Sequence, residues 1–339
     1  MPTTSPSRPS RPTRRLVAAS LVLAGGLTAC GSEDDDREPT FAATGSYPVT
    51  IENCGAEVTF DKAPERVVLL KSSSVPFLHE LGVLDRVTAR AGQYPSAYYD
   101  EETLAELDRI PLLTDELDSS GHLQISKEIV ISEEPDLVLG EVDNLSRATL
   151  DAVGIPLIEE PALCEQGVDE PGFDDVYAQL EVYGKVFGRE TEARAAIADL
   201  EEDLAEVEAE VGAADGRTAA VLYPTVGGGT TYAYGTKSMA HPQLEAAGFE
   251  NAFGDVDQRV FEVTLEELLG RDPDVLILLH SEGDPAKVED SIAGLPGAGQ
   301  LTAVRNGDVM AQLFNFTEPP TPLSVEGLER IVERFGSGT

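Results

Sequence analysis

Glu128-Ile129-Val130-Ile131-Ser132-Glu133-Glu134-Pro135-Asp136-Leu137-Val138-Leu139 has a counterpart 138 residues on, Glu266-Glu267-Leu268-Leu269-Gly270-Arg271-Asp272-Pro273-Asp274-Val275-Leu276-Ile277. Both read as a glutamate, six residues, then Pro-Asp opening a wholly apolar run. The flanks agree: Leu81-Gly82 and Ala247-Gly248 end helix-like segments before each copy, and Leu150-Asp151-Ala152-Val153 and Leu301-Thr302-Ala303-Val304 follow. One order of elements repeated over a length far beyond a solenoid unit describes two similar lobes, and two lobes leave a cleft.

Within the first lobe, strands and helices alternate as a parallel sheet requires. Val49 to Phe60 reads as a hairpin closing the N-terminal edge. Strands follow at Arg66–Leu70, Val87–Ala91, Leu137–Leu139 and Ile155–Ile158; helices at Val75–Leu84, with Ser72 as N-cap, at Ile125–Ser132 and at Leu145–Val153. The second lobe repeats the order with strands at Ala219–Tyr223, Val275–Leu279 and Val309–Gln312. Its helices are expected at Pro242–Ala247, Leu265–Leu269, near Lys287–Ala293 and at Ser324–Phe335.

Between the lobes, Ala193, Ala196, Ile197, Leu200, Leu204, Val207 and Val211 recur at spacings of three and four, an apolar stripe on a helix of about 20 residues and about 30 Å. Seven acids between Asp199 and Glu210 without basic partners disfavour a coiled coil and point to a monomer. The fold class is therefore α/β: two Rossmann-like lobes with mainly parallel sheets, joined by one long rigid helix, with a ligand cleft between them. Such a connector allows slight rocking rather than wide hinge closure.

The N-terminus has the layout of an export signal: basic Arg8, Arg11, Arg14 and Arg15, a short apolar run from Leu16 to Gly26, then Leu27-Thr28-Ala29 before Cys30. The small residues before Cys30 resemble the lipobox of bacterial lipoproteins, which implies cleavage there and acylation of the Cys30 thiol. The expected organisation is a signal peptide at 1–29, a tether at 30–46, a first lobe at 47–172, a connecting helical segment at 173–212 and a second lobe at 213–339. The chain would sit on the outer face of the cytoplasmic membrane, held by lipid. Without the four leader arginines, 20 basic residues face 62 acidic ones. That excess argues against nucleic acid or bare anionic lipid as a partner. Beyond Cys30, Cys54 and Cys164 are available for one disulfide in an exported protein; spacing alone does not decide between a bridge and two buried thiols.

From Val49 onward the chain resembles the substrate-binding lipoproteins of ABC importers for iron siderophores, haem and cobalamin. The residues that carry the resemblance are Ala63-Pro64-Glu65-Arg66-Val67-Val68, Glu128 with Glu134 to Val138, Gly188-Arg189-Glu190, and Glu266 with Asp272 to Val275. It implies a partner permease on which one glutamate per lobe docks, here Glu128 and Glu266 by position. Ile131-Ser132-Glu133-Glu134 departs from the commoner Ala-Leu-Lys before the proline and adds charge beside that site.

A ligand belongs where loops leave the carboxyl ends of the two sheets. The first lobe offers Lys71, Ser72, Arg90, Tyr94 and Tyr98 there; the second offers Tyr223, Tyr232, Tyr234, Lys237, His280, Asn315 and Phe316. Aromatic faces suit a flat chelate or tetrapyrrole, and cations answer carboxylate or catecholate charge around a metal. Catalysis finds no support: Gly-x-Ser-x-Gly and His-Glu-x-x-His are absent, and the glycine run at 227–229 lacks the Gly-Lys-Ser/Thr of a phosphate loop. Direct metal capture would need His241, His280 and an acid such as Glu141 to converge. The reading is a binding protein without a cofactor of its own. Its expected cargo is a ferric siderophore, the alternatives being cobalamin, haem, another bulky cofactor precursor, or a ligand-sensing role.

Overall fold

The computed structural model describes residues 46–118, 122–212, 216–281 and 283–336. The leader, Cys30 and the tether through Gly45 lie outside the described residues.

Strands β3 (Val67–Leu69), β4 (Val87–Arg90), β5 (Leu137–Leu139) and β6 (Leu157–Ile158) form a parallel sheet in the order β4-β3-β5-β6. The hairpin of β1 (Val49–Asn53) and β2 (Ala56–Phe60) is a separate two-stranded sheet rather than the edge of this one. It lies against the helix Phe173–Phe187, with Tyr47 Oη donating to Val186 O at 2.8 Å, and reaches β6 through side-chain bonds from Asn53 to the Glu159 backbone.

The second sheet contains β7 (Thr218–Pro224), β8 (Thr231–Tyr234), β9 (Glu250–Asn251), β10 (Val260–Val263), β11 (Val275–His280) and β12 (Val309–Leu313). Its order is β10-β8-β7-β11-β12, with β9 beside β7. β7, β9, β11 and β12 run parallel, whereas β8 and β10 are antiparallel additions. Gly227, Gly228 and Gly229, at φ 92, 99 and 147, turn β7 directly back into β8. Tyr232 and Tyr234 are consequently strand residues, not loop residues.

The repeated Pro-Asp has one structural job in both lobes. The preceding residue, Glu134 or Asp272, is left-handed (φ 50 and 43) and ends the helix. The aspartate then fastens its own strand to the neighbour: Asp136 accepts from the backbone N–H of Glu65 and Arg66, and Asp274 from that of Thr218. The backbone answers in kind, Asp136 N donating to Arg66 O at 3.0 Å and Asp274 N to Thr218 O at 2.9 Å.

Alternate residues of each central strand face opposite cores. Val67 and Leu69 join the helices Val75–Glu80 and Phe173–Phe187, while Val68 and Leu70 pack with Val130, Leu145 and Leu150. Fixed periodicity of two with apolar residues on both faces is what a covered parallel sheet demands. The connector helix Glu190–Glu210 runs along both lobes: Ala193, Ala196, Ile197 and Leu200 pack in the first core, Val207 and Val211 in the second, and Leu204 in both. Gly184 lets the preceding helix close on it, since a Cβ there would lie 2.7 Å from that of Ala193.

Cys54 and Cys164 are bonded and close a 110-residue span, tying the hairpin to the segment after β6. Replacing both with Ala is expected to lower stability by about 3–5 kcal/mol through the freed unfolded chain. Urea unfolding of the variant and of the oxidised parent measures it, and coincident midpoints would refute the contribution.

Candidate functional site

The carboxyl ends of the two sheets meet across a cleft of about 600 Å³. From the first lobe, β4 delivers Arg90, and the loop after it brings Gln93 and Tyr94. From the second, β11 ends on His280, β12 carries Met310, and the closing helix Leu323–Phe335 contributes Arg330.

Each lobe lays an arginine over an aromatic ring at this cleft. The Arg90 guanidinium lies 4.9 Å from the Tyr94 ring centre, and Tyr94 Oη, donating to Ala91 O at 3.1 Å, holds the ring in place. Arg330 sits 4.0 Å above Phe316 and is steadied by Glu326 one turn earlier, at 2.6 Å. Stacking contributes about 0.5–1 kcal/mol and leaves the N–H edges of a guanidinium open to acidic oxygens. Among the described residues, no carboxylate lies within ion-pair distance of Arg90.

Phe316 is held from behind. Tyr98, 5 % exposed, meets it edge-on at 5.2 Å, and the Tyr98 hydroxyl accepts from Asn315 N at 2.9 Å across the lobe boundary. Asn315 Nδ2 donates to Ser72 Oγ at 3.0 Å. Gln243 Nε2 donates to Phe316 O and Ser324 O at 2.7 and 2.8 Å. Gly327 is required here, because a Cβ would fall 1.8 Å from Phe316 O.

Of the residues expected at the ligand, the structure brings Arg90, Tyr94, His280 and Phe316 to the cleft wall. The others are engaged elsewhere. Ser72, Tyr98 and Asn315 form the seam between lobes, so Ser72 caps no helix; it opens a tight 3-10 turn instead. Lys71 pairs with Glu159 at 2.5 Å. Tyr223 bonds Ser281 at 3.0 Å and packs on Phe314. Tyr232 is exposed on β8, and Tyr234 is core. Lys237 bridges Asp169 and Asp257. The tyrosine cluster therefore dissolves: among the described residues, Tyr94 alone of the tyrosines lines the cleft.

Arg330 and Met310 went unnoticed in the sequence, the first because its helix reads only as an amphipathic closing element. The Glu326-to-Arg330 spacing of four was the available signal. His241 pairs with Glu245 and does not meet His280 or Glu141. Among the described residues, the group whose ligand atoms converge, within 4.8 Å, is instead Asp118, His122 and Asp143.

Glu128 and Glu266 are exposed in the first turns of Lys127–Ser132 and Leu265–Arg271, helices capped by Ser126 and Thr264. Each helix runs into a central strand, so both glutamates stand at the sheet ends that face the cleft.

Beneath the Lys71 turn, Glu159 and Glu160 are both buried. Burial, then the neighbouring Glu159 charge, push the Glu160 carboxyl up to about 7, against donors Tyr183 and Ser74 that favour ionisation.

Comparison with known proteins gives a family model described as periplasmic binding protein that matches residues 67–312. The chain is similar to a solved structure from Saccharomonospora viridis, described as an ABC-type Fe3+-hydroxamate transport system. Identity is 58%, the TM-score 0.82, and the match covers 86% of this chain and all of that one. It is also similar to the uncharacterized ABC transporter substrate-binding lipoprotein YvrC of Bacillus subtilis, at 24% identity over 93% of this chain and 95% of that protein. A cobalamin-binding protein of Halobacterium salinarum is 26% identical over 96% of this chain and 84% of its own length.

The weakened acidity of Glu160 makes stability depend on pH in a definite direction. Below about pH 4.5 both folded and unfolded chains hold the proton; between there and about 7 only the folded chain does, so its contribution is lost as pH rises through that window. Glu160→Gln is expected to flatten this loss, worth about 3 kcal/mol. Urea unfolding of both proteins from about pH 5 to about pH 8 checks it, and parallel curves would contradict it.

Proposed function

The chain belongs to the periplasmic binding protein family, and from that premise we propose that it is the substrate-binding protein of an ABC importer whose cargo is a ferric siderophore. The observation that carries the reading is the cleft itself, flanked by Arg90 on Tyr94 from one lobe and Arg330 on Phe316 from the other. A volume of about 600 Å³ lies in the range of small-molecule sites. The Arg90 guanidinium, free of an ion pair among the described residues, suits a chelate whose oxygen donors carry negative charge; Arg330 shares its Nε and Nη2 with Glu326 and keeps Nη1 for the cleft, and Met310 and Leu112 offer apolar wall for the ligand's backbone. The relative from Saccharomonospora viridis supports the hydroxamate class.

A second reading has its own observation. His280 stands buried in the cleft wall, where an imidazole suits the metal of haem or cobalamin, and a cobalamin-binding relative spans nearly the whole chain. The protein carries no reaction of its own in either reading.

Delivery requires a permease. Glu128 and Glu266, exposed at equivalent helix starts on the cleft side of each lobe, are the proposed docking contacts, one per lobe so that the partner senses their relative position. The YvrC relative is named a lipoprotein, which supports anchoring through Cys30 on the outer face of the membrane. Among the described residues no helix is long and apolar enough to cross a membrane.

Arg90→Ala and Arg330→Ala should each weaken binding of a ferric trihydroxamate by about tenfold or more, since a charge-assisted contact contributes about 1.5–3 kcal/mol. Tyrosine-fluorescence quenching reads this beside haem and cobalamin titrations. Preference for either of those favours the second reading, and unchanged affinity in both variants removes the arginines from the site.

Charge reversal at Glu128 and Glu266 together should abolish uptake by cells while leaving ligand affinity within about twofold, as expected of surface changes remote from the ligand. Normal uptake, or lost binding, would overturn the docking assignment.

A further inference from the structure

Glu159 and Glu160 follow β6 as two adjacent buried acids, and a single lysine stands near them. Glu159 is well served: Oε2 accepts from Lys71 Nζ at 2.5 Å and from Glu141 N at 2.7 Å, and Oε1 from Glu160 N at 2.7 Å. Glu160 is not. Oε1 accepts from Ser74 Oγ and Tyr183 Oη, both at 3.0 Å, while Oε2 is buried with no partner among the described residues, as is Ser73 Oγ in the same turn.

The groups facing Glu160 come from every packed element. They are Lys71 and Ser74 before the first helix, Tyr183 of the helix Phe173–Phe187, and Glu159 on its own segment. Cys164, in its disulfide, touches the Glu160 backbone, and Arg147 donates to Leu157 O and to Asn53 Oδ1, which also accepts from Glu159 N. Two buried carboxylates against one ammonium leave an excess negative charge, which burial opposes strongly. The proton that removes it belongs on Glu160.

The turn Ser72–Ser74 joins this acid to the lobe seam. Ser74 donates to Glu160 at one end, and Ser72 accepts from Asn315 of the other lobe at the opposite end. Ionising Glu160 strengthens its bonds from Ser74 and Tyr183 but sets a second buried charge beside Glu159 with Oε2 unpartnered, and admitting water past the Lys71–Ser74 turn relieves that charge. We propose that one proton on Glu160 holds the Lys71–Ser74 turn in place and, through Ser72, fastens the lobe seam, so that the lobes part more readily as the surroundings become alkaline. Nothing in this device depends on which ligand the cleft takes, and it is tested without ligand.

Hydrogen–deuterium exchange of the full chain, corrected for intrinsic rates, reads it at peptides spanning 71–75 and 314–317. In the parent, protection at both should fall together by about fivefold between about pH 6 and about pH 8, and in Glu160→Gln it should stay level. Identical profiles for the two proteins would overturn the proposal, as would a response at 71–75 with none at 314–317. Ser72→Ala leaves the acids intact and cuts only the link. It should keep the response at 71–75 and lose it at 314–317; retention at both would overturn the coupling even if the glutamine variant failed to fold.

Discussion

Leu204 packs into the hydrophobic cores of both lobes, and the helix that carries it is the constraint on which the rest of the structure depends. Twenty-one residues of continuous helix tie Ala193, Ala196 and Leu200 to the first lobe and Val207 to the second. A lobe cannot swing without stripping apolar side chains from one core, at about 25 cal/mol per Å² of surface exposed. The cleft is therefore largely formed before a ligand arrives, and rocking is the motion left to it.

The seam at the cleft floor works with this helix. Asn315 spans the boundary through Tyr98 and Ser72, and Phe316 beside it is gripped by Tyr98, Gln243 and the close backbone of Gly327. Phe316 then presents Arg330 to the cleft. The arginine's position in the cleft wall is thus inherited from contacts between lobes. On the first lobe Arg90 depends on Tyr94, itself fixed through Ala91 O.

The central sheets were legible because their signals are local and doubled. Pro-Asp after a helix stop encodes the same clamp at Asp136 and Asp274, and Leu137–Leu139 and Val275–Leu279 are apolar on both faces as buried parallel strands must be. The connector stripe was legible for the same reason, its period surviving over six turns. β8 and β10 were not, since Tyr232 and Val260 alternate too weakly beside a glycine turn to distinguish strand from loop. The site was legible only in part. Carboxyl-end topology leads to Arg90, Tyr94 and His280 at the cleft wall, but residue type cannot tell a tyrosine that lines the cleft from one that, like Tyr98, meets the other lobe. Lys71 and Lys237 looked available until the acids of so acidic a chain claimed them. Arg330 comes from the closing helix, and its spacing of four from Glu326 signals an ion pair on a helix face without saying that the face borders the cleft.

The distance between spin labels placed on Asp151 of the first lobe and Lys287 of the second, both exposed, reports most directly whether the shared helix holds the cleft nearly formed. Pulsed electron resonance would compare the protein alone with the protein saturated with a ferric trihydroxamate. One narrow distribution is expected in each state, shifted by less than about 3 Å. A broad unliganded distribution, or a shift of about 10 Å or more, would contradict it and make the connector a hinge.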